Sequence, residues 1–168
     1  MSGVSLRAIF DAEFDWVCRT LRRLGVRQGD LEDAAQETFL AVAGRLAEYD
    51  PTRPLRPWLF GFAMRIAANH RRKKKDDPTD TADEAASTLA SPEQEAELSQ
   101  AKGLALRALE KIDDDRRAIF VMHDIEGFGA PEIAALLSIP ANTVYSRLRV
   151  ARAEFEGAVQ RLTEKARR

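Results

Sequence analysis

Residues 132–149 read EIAALLSIPANTVYSRLR, and the spacing of their apolar residues gives the clearest indication of the fold. Ala134 is small where two helices would cross closely, and Ile139 is an apolar residue placed to fill a turn. Val144 and Leu148, four residues apart, would bury a second helix after that turn. This spacing predicts a helix-turn-helix, with an αα-hairpin inside an ordinary helical bundle as the plainer alternative.

The opposite face of that second helix is polar. With Val144 and Leu148 turned inward, amide, hydroxyl and guanidinium groups lie on or beside the outer face, on Asn142, Thr143, Tyr145, Ser146, Arg149 and Arg152. Such groups suit phosphate oxygens and base edges in a major groove. The face therefore indicates recognition of duplex DNA, although the motif alone does not separate one class of DNA-binding protein from another.

The rest of the C-terminal half also has helical periodicity. No two-residue hairpin signal and no sustained alternation of apolar and polar residues indicates a strand. We expect helices from Ser91 to about Ile112, over about 114–126 and over 131–138, and a last one from near Pro140 to beyond Leu162. Residues 91–168 are thus predicted to form one small helical bundle.

The N-terminal part predicts a second small bundle, over residues 1–75. A first helix is expected over 6–24, and a second begins after Asp30, a plausible N-cap residue. Three prolines then forbid a continuous helix and leave a stiff loop, residues 49–56. The third helix, over 57–75, ends in five consecutive basic residues. The predicted fold is all-α.

The formal net charge of −1 conceals a division along the chain. Residues 1–75 carry a net charge of +5, residues 76–100 carry −8 and residues 101–168 carry +2. Within the acidic block, residues 76–90 are too poor in large apolar side chains to offset their ordering entropy, so we predict a flexible acidic linker there. Its composition fits a solvated spacer, and it also fits a mimic of nucleic acid.

Residue usage narrows the function classes. A single cysteine, Cys18, excludes an intramolecular disulfide and a cysteine cluster for zinc. Two histidines, His70 and His123, argue against a metal enzyme or a serine-type triad, so we expect neither a cofactor nor a bound metal. No apolar run approaches the roughly 18 residues of a membrane span, and no signal peptide is evident. We therefore expect a cytoplasmic, non-enzymatic protein without a small-molecule substrate or direct membrane insertion.

Two separated motifs resemble those of extracytoplasmic-function (ECF) sigma factors, the smallest class of bacterial RNA polymerase specificity subunits. Residues 133–134 together with 143–152 closely resemble the family's region 4. Residues 30–40, DLEDAAQETFL, resemble region 2.2. The segment RPWLF at 56–60, followed by IAAN at 66–69 and the basic run, resembles regions 2.3 and 2.4. The resemblance covers nearly the whole chain outside the linker.

The resemblance implies three binding surfaces. The second helix would contact the β′ clamp helices of core RNA polymerase through Asp33, Gln36, Glu37 and Leu40. The β subunit of the polymerase is a further expected partner. The loop and third helix would bind and open the −10 promoter element through Arg53, Arg56, Arg65, Asn69, Arg71, Arg72 and Lys73. The helix-turn-helix would read the −35 element through Asn142, Thr143, Tyr145, Ser146, Arg147, Arg149 and Arg152.

The function implied is that of a transcription initiation factor, with promoter DNA, core polymerase and an anti-sigma factor as partners. A stand-alone helix-turn-helix regulator is one alternative, and it would bind its duplex tightly without polymerase. A sigma-like mimic that sequesters an anti-sigma factor and never binds DNA is the other. Asn142, Arg149 and Arg152 keep the outer face suited to DNA, which favours a DNA-binding protein over the mimic.

Overall fold

The computed structural model describes residues 5–76 and 92–168, and all regular structure in these two ranges is helical, as predicted. The helices are α1 (Leu6–Arg23), α2 (Leu31–Arg45), α3 (Leu55–Asp76), α4 (Pro92–Leu109), α5 (Asp114–Phe120), α6 (Ala130–Leu137) and α7 (Ala141–Ala166). The predicted linker lies outside the described residues except for Asp76, the last residue of α3. Ser91, from which the next helix is expected to run, also lies outside them. No helix within the described ranges is long and apolar enough to cross a membrane.

Helices α1, α2 and α3 form the N-terminal module. Helix α1 ends where Gly25 takes a φ of +97°, a backbone conformation that favours glycine. The buried residues Val17 and Leu21 of α1 face the core that α1 shares with α2 and α3. The rings of Phe10 in α1 and Phe39 in α2 lie 4.8 Å apart, so aromatic packing closes one side of this core.

Helices α4 to α7 form the C-terminal module, in which α7 packs against α4, α5 and α6. The single helix expected over 114–126 is present as α5 followed by a π-helical turn, Val121–Ile125. Gly127, with a φ of +75°, ends this segment. Hydrophobic periodicity does not distinguish a π turn from α-helix at this length, because a single wide turn shifts the pattern by only one residue.

The predicted helix-turn-helix is formed by α6, a short turn and α7. Ser138 ends α6 in the left-handed conformation, with a φ of 54°. The Ile139 N–H then donates to the Ala134 carbonyl at 3.0 Å, which holds the tight turn before α7 begins. Val144 and Leu148 are both buried, as their spacing predicted. Asn142, Tyr145, Ser146 and Arg149, by contrast, are exposed on the other side of α7.

Two local predictions differ from the structure. Asp30 lies at the start of α2, but its side chain makes no capping hydrogen bond, because a short 3₁₀ turn over Gln28–Asp30 leads directly into the helix. Helix α3 begins at Leu55, two residues before the expected Pro57. A proline in the first helical turn costs no intrahelical hydrogen bond, so the helix can start upstream of it.

The two modules pack against each other, so their cores are continuous. The rings of Phe60 in α3 and Phe128 in the C-terminal module meet edge to face, with centroids 5.9 Å apart. Where α3 meets α6, a Cβ placed on Gly61 would lie 3.3 Å from the Leu136 Cδ1 atom. The absence of a side chain at Gly61 is what permits this close approach.

Candidate polymerase and nucleic-acid interfaces

One face of α2 is exposed and carries the four residues expected to bind polymerase. Leu40 is 74% exposed, an unusual degree for a leucine, and Asp33 and Gln36 are exposed beside it. Glu37 is half-exposed, and its Oε1 atom lies 3.3 Å from the His70 Nε2 atom of α3. His70 therefore faces α2. The structure brings the four predicted residues together on one surface.

The loop between α2 and α3 is held by its own side chains. The Asp50 Oδ1 atom accepts hydrogen bonds from the Thr52 N–H at 2.9 Å and the Thr52 hydroxyl at 2.7 Å. The Tyr49 hydroxyl donates to the Arg53 carbonyl at 2.7 Å, and its ring lies 4.8 Å from the ring of Trp58. Hydrogen bonds from Thr52 lower the pKa of Asp50, and burial raises the pKa of Tyr49. The loop is thus preorganised.

The residues that order this loop were not singled out from the sequence. The Asp-x-Thr spacing of Asp50 and Thr52 is typical of a side-chain-closed turn and could have identified them. Trp58 packs between Tyr49 and Phe62, which places it in an aromatic cluster beneath the loop. Arg53, the basic residue expected to contact DNA here, is largely exposed at the loop's end.

The remaining candidates for the −10 element lie along α3, and they differ in exposure and in the residues that they contact. Arg56 donates to the Glu13 carboxylate at 2.9 Å and lies 5.3 Å from the ring centroid of Trp16. Arg72 and Lys73 are exposed, and Asn69 accepts a hydrogen bond from Arg72. A surface groove of about 510 Å³ is lined by Arg65, Ala68, Asn69, Arg71, Arg72 and Asp114.

Arg71 alone among these is turned inward, with 16% of its side chain exposed. Its Nη1 atom donates to the Leu24 carbonyl at the end of α1, and its Nε atom lies 3.1 Å from the Asp114 carboxylate. Both partners belong to the surface where the two modules meet. The structure thus separates Arg71 from the exposed cations of α3.

The candidates for the −35 element lie on the first half of α7. Asn142, Tyr145 and Arg149 are exposed, and Ser146 is exposed with its hydroxyl bonded to the Thr143 carbonyl at 3.1 Å. Arg147 differs, because it is half-buried and faces a groove that is also lined by residues of α3. The structure therefore brings most of the predicted set together on one outer face.

Arg152 is oriented by a residue that the sequence did not reveal. The Asp124 carboxylate accepts two hydrogen bonds from Arg152, from Nε and Nη2, each 2.7 Å long. The hydrogen bond from Arg152 lowers the pKa of Asp124, and a further one from His123 acts in the same direction. Asp124 lies in the π turn, whose geometry sets the direction of its side chain. Helical periodicity carries no signal for that contact.

No three His, Cys, Asp or Glu side chains in the described ranges are grouped so that they could hold a metal ion. The described residues form three candidate binding surfaces, which are an exposed acidic and apolar face on α2, a preordered loop beside the cations of α3, and the outer face of α7. The chemistry these surfaces offer is binding by charge, hydrogen bonding and stacking.

Comparison with protein families matches two parts of the chain. Residues 9–76 match the family described as sigma-70 region 2, and residues 102–155 match the family described as sigma-70, region 4. The first range contains α2, the loop and α3, and the second contains the helix-turn-helix. Together the two matches cover most of the chain.

Comparison with individual proteins gives relatives of one kind. The chain is 28% identical to the RNA polymerase sigma factor CnrH of Cupriavidus metallidurans over 159 residues, which are 89% of this chain and 83% of the relative. It is 26% identical to the ECF RNA polymerase sigma-E factor of Escherichia coli over 148 residues, 82% of this chain and 78% of the relative.

Solved structures show the same fold. A structure of CnrH in complex with the cytosolic domain of CnrY has a TM-score of 0.64 at 24% identity, covering 92% of this chain and 87% of the other. The sigma factor RpoE in complex with the anti-sigma factor NepR, from Bartonella quintana, has a TM-score of 0.70 at 16% identity, covering 92% and 96%. The chain therefore belongs to the sigma-70 family, as an ECF sigma factor.

Proposed function

We propose that this protein binds core RNA polymerase, directs it to specific promoters, opens the −10 element with its N-terminal module and reads the −35 element with its C-terminal module. The observation that carries the proposal is the presence of three separate surfaces on one chain. They are the exposed acidic and apolar face of α2, the ordered loop beside the cations of α3, and the polar outer face of α7. The module boundaries that we propose are residues 1–75 and 91–168, on either side of the acidic linker.

The polymerase contact is assigned to α2. Leu40 supplies exposed apolar area, and Asp33 and Glu37 supply negative charge around it. An apolar centre with a charged rim suits a helical partner rich in arginine, which the β′ clamp helices would provide. Glu32 and Asp33 also lie in the first turn of α2, where negative charge favours the helix.

Opening of the −10 element is assigned to the loop and α3. A base leaves a duplex at a cost of a few kcal/mol, which a pocket offsets by stacking and by hydrogen bonds to the base edge. The loop ordered by Asp50 and Thr52 supplies rigid backbone groups for such a pocket. Arg65, Arg72 and Lys73 of α3 would hold the phosphates of the separated strand.

Reading of the −35 element is assigned to the outer face of α7. A recognition helix contacts base edges with residues near its N-terminus, and Asn142, Tyr145, Ser146 and Arg149 are exposed there. Arginine prefers the guanine edge and asparagine the adenine edge, so this face can distinguish base pairs. The orientation that Asp124 gives to Arg152 suits a contact to the phosphate backbone at the rim.

An anti-sigma factor is the fourth proposed partner. Two structures of similar fold hold a sigma factor with another protein, namely CnrH with the cytosolic domain of CnrY and RpoE with the anti-sigma factor NepR. We extend this kind of regulation to the present chain as part of the proposal. Such a partner would compete with polymerase for the exposed face of α2.

Run-off transcription with core polymerase tests the proposal. Wild-type protein should yield promoter-specific transcripts. Asp33→Ala/Glu37→Ala should lose them through weaker polymerase binding, and Arg149→Ala should lose them only on promoters with a −35 element. Glu164→Gln, an exposed change on α7 twelve residues beyond Arg152, is the matched control and should behave as wild type. Absence of any promoter-specific transcript from wild-type protein would contradict the proposed function.

A further inference from the structure

Glu37 lies in the middle of the α2 face that we propose binds polymerase. Asp33 is one turn before it and Leu40 one turn after it, so the three side chains share one side of the helix. Asp33, Gln36 and Leu40 are exposed, whereas the Glu37 side chain is only 43% exposed. Part of the Glu37 side chain therefore faces the protein, and the rest faces the partner.

The group that Glu37 faces is His70, which comes from α3. The His70 side chain is only 12% exposed, and its Nε2 atom lies 3.3 Å from the Glu37 Oε1 atom. Helices α2 and α3 pack against each other, so this contact joins two elements of the N-terminal module. His70 follows Asn69 and precedes Arg71 and Arg72, which are candidates for the −10 element. The helix proposed to bind the −10 element thus also supports the face proposed to bind polymerase.

The His70 Nε2 atom is buried and has no hydrogen-bond partner in the described part of the chain. A buried donor without an acceptor destabilises a fold, so such atoms are nearly always paired. Glu37 Oε1 is within reach at 3.3 Å, although the two groups are not aligned as donor and acceptor. The terminal torsion of a glutamate has broad preferences, so a rotation of the carboxylate forms this bond without moving either helix.

The pairing determines which hydrogen atom the imidazole carries. A carboxylate only accepts hydrogen bonds, so the Nε2 atom of His70 must carry a hydrogen in order to pair with Glu37. In the neutral ring this is the Nε2–H tautomer, with Nδ1 as an acceptor. Once His70 holds Oε1, the second oxygen of the carboxylate, Oε2, is left for a donor on a partner. His70 would in this way set the direction of the Glu37 carboxylate.

We propose that His70 is a positioning residue for polymerase binding, which holds the Glu37 carboxylate so that its outer oxygen meets a basic group of core polymerase. A free glutamate side chain has many rotamers, and fixing it in advance lowers the conformational entropy lost on binding. His70 acts through Glu37, because its own side chain is almost buried behind α2. This inference rests on the proposed function, since it deepens the role of one proposed surface.

The affinity of the full-length protein for core polymerase tests this role. His70→Leu should weaken binding about three- to tenfold, the effect of leaving one long side chain unfixed. His70→Gln keeps an N–H donor on a side chain of similar reach, and it should restore most of the lost affinity. In a Glu37→Ala background His70→Leu should have no further effect, because no carboxylate is left to position.

Ile66→Ala, one turn earlier on α3, is the matched control for a loss of stability. Ile66 is half-buried and packs against the core, so its truncation lowers the free energy of unfolding without touching Glu37. Its affinity for core polymerase should equal that of wild type. Urea unfolding of the Ile66→Ala and His70→Leu variants shows how far each is destabilised.

The imidazole signals of the free protein test the contact without polymerase. The chain has two histidines, so a His123→Gln background leaves only the signals of His70. The nitrogen resonances should show a hydrogen on Nε2, and Glu37→Ala should shift the Nε2 resonance. Asp33→Ala removes an exposed carboxylate one turn away on the same helix, and it should leave that resonance unchanged.

The proposal would be overturned if His70→Leu left the affinity unchanged, or lowered it equally with and without the Glu37 carboxylate. A loss of the same size in Ile66→Ala would also overturn it, because the effect would then follow from stability. So would an Nε2 resonance that Glu37→Ala does not move. Failure of the wild-type protein to bind core polymerase would instead contradict the proposed function, and the Nε2 resonance would still decide whether His70 holds Glu37.

Discussion

The Asp124 carboxylate accepts two parallel hydrogen bonds from Arg152, each 2.7 Å long, and these join the π turn to helix α7. The contact uses the Nε and Nη2 atoms of the guanidinium and so sets the direction in which Nη1 points. The Arg152 side chain, which has many rotamers when free, is thereby held in one orientation at the edge of the proposed DNA surface. This lowers the conformational entropy that it would lose on binding a phosphate.

The Asp124–Arg152 pair makes stability depend on pH in a defined direction. Because the folded pKa of Asp124 is lowered, first by Arg152, the pair stabilises the fold above the unfolded-state pKa of about 3.9 and loses this effect as pH falls through the folded value. We expect the difference in unfolding free energy between wild type and Asp124→Asn to shrink below about pH 4. Urea unfolding in a His123→Gln background measures it, and a difference that grows on acidification would contradict the assignment.

Replacement of Leu40 should separate polymerase binding from folding. Its side chain is 74% exposed, so Leu40→Asp costs little stability, but it places a charge at the centre of the proposed polymerase contact. A loss of about 2 kcal/mol or more in affinity for core polymerase is expected, as for a central interface residue. Leu98→Asp on α4, where Leu98 is 53% exposed, is the matched control and should leave this affinity unchanged.

Disordering the loop should impair promoter opening without affecting duplex recognition. Asp50→Ala removes the acceptor of both Thr52 hydrogen bonds, so the loop loses the turn that holds the proposed base pocket. We expect weaker permanganate reactivity of thymines in the −10 element, while footprints over the −35 element persist. Glu48→Ala removes the same charge two residues away, from an exposed pair with Arg45, and should retain full reactivity.

Loss of the Arg149 guanidinium should weaken −35 recognition. A bidentate contact to a base is worth about 1–3 kcal/mol, so Arg149→Ala should lower affinity for the promoter duplex by that amount and relax the preference at one base pair. Competition binding of holoenzyme to promoters altered at each −35 position measures both effects. Arg161→Ala, further along α7, is the control, and an equal loss for both variants would mean that Arg149 contributes charge alone.

Much of the fold could be predicted from the sequence, because its determinants are local. The helix-turn-helix followed from the spacing of Val144 and Leu148 and from Ile139 in the turn, and both helical residues are buried. The loop before α3 followed from its prolines. Helix starts were less accurate, as at Leu55, because a first-turn proline permits more than one starting residue.

Contacts between the modules could not be predicted in the same way. Trp16 and Glu126 are separated by 110 residues, and neither periodicity nor composition relates one to the other. Arg71 reads as one more cation in a basic run, yet it is turned away from its neighbours to the end of α1. Such positions depend on how two independently patterned bundles meet, which is a property of the assembled surface.

The glycine at position 61 gives this meeting of modules a sensitivity of its own. A methyl group there would stabilise helix α3 by about 1 kcal/mol through helix propensity, whether or not the modules are in contact. The same methyl would crowd Leu136 only when α3 and α6 touch. One carbon atom therefore acts with opposite sign on the helix and on the contact, so a substitution at residue 61 changes how tightly α3 and α6 pack without altering any residue proposed to bind polymerase or DNA.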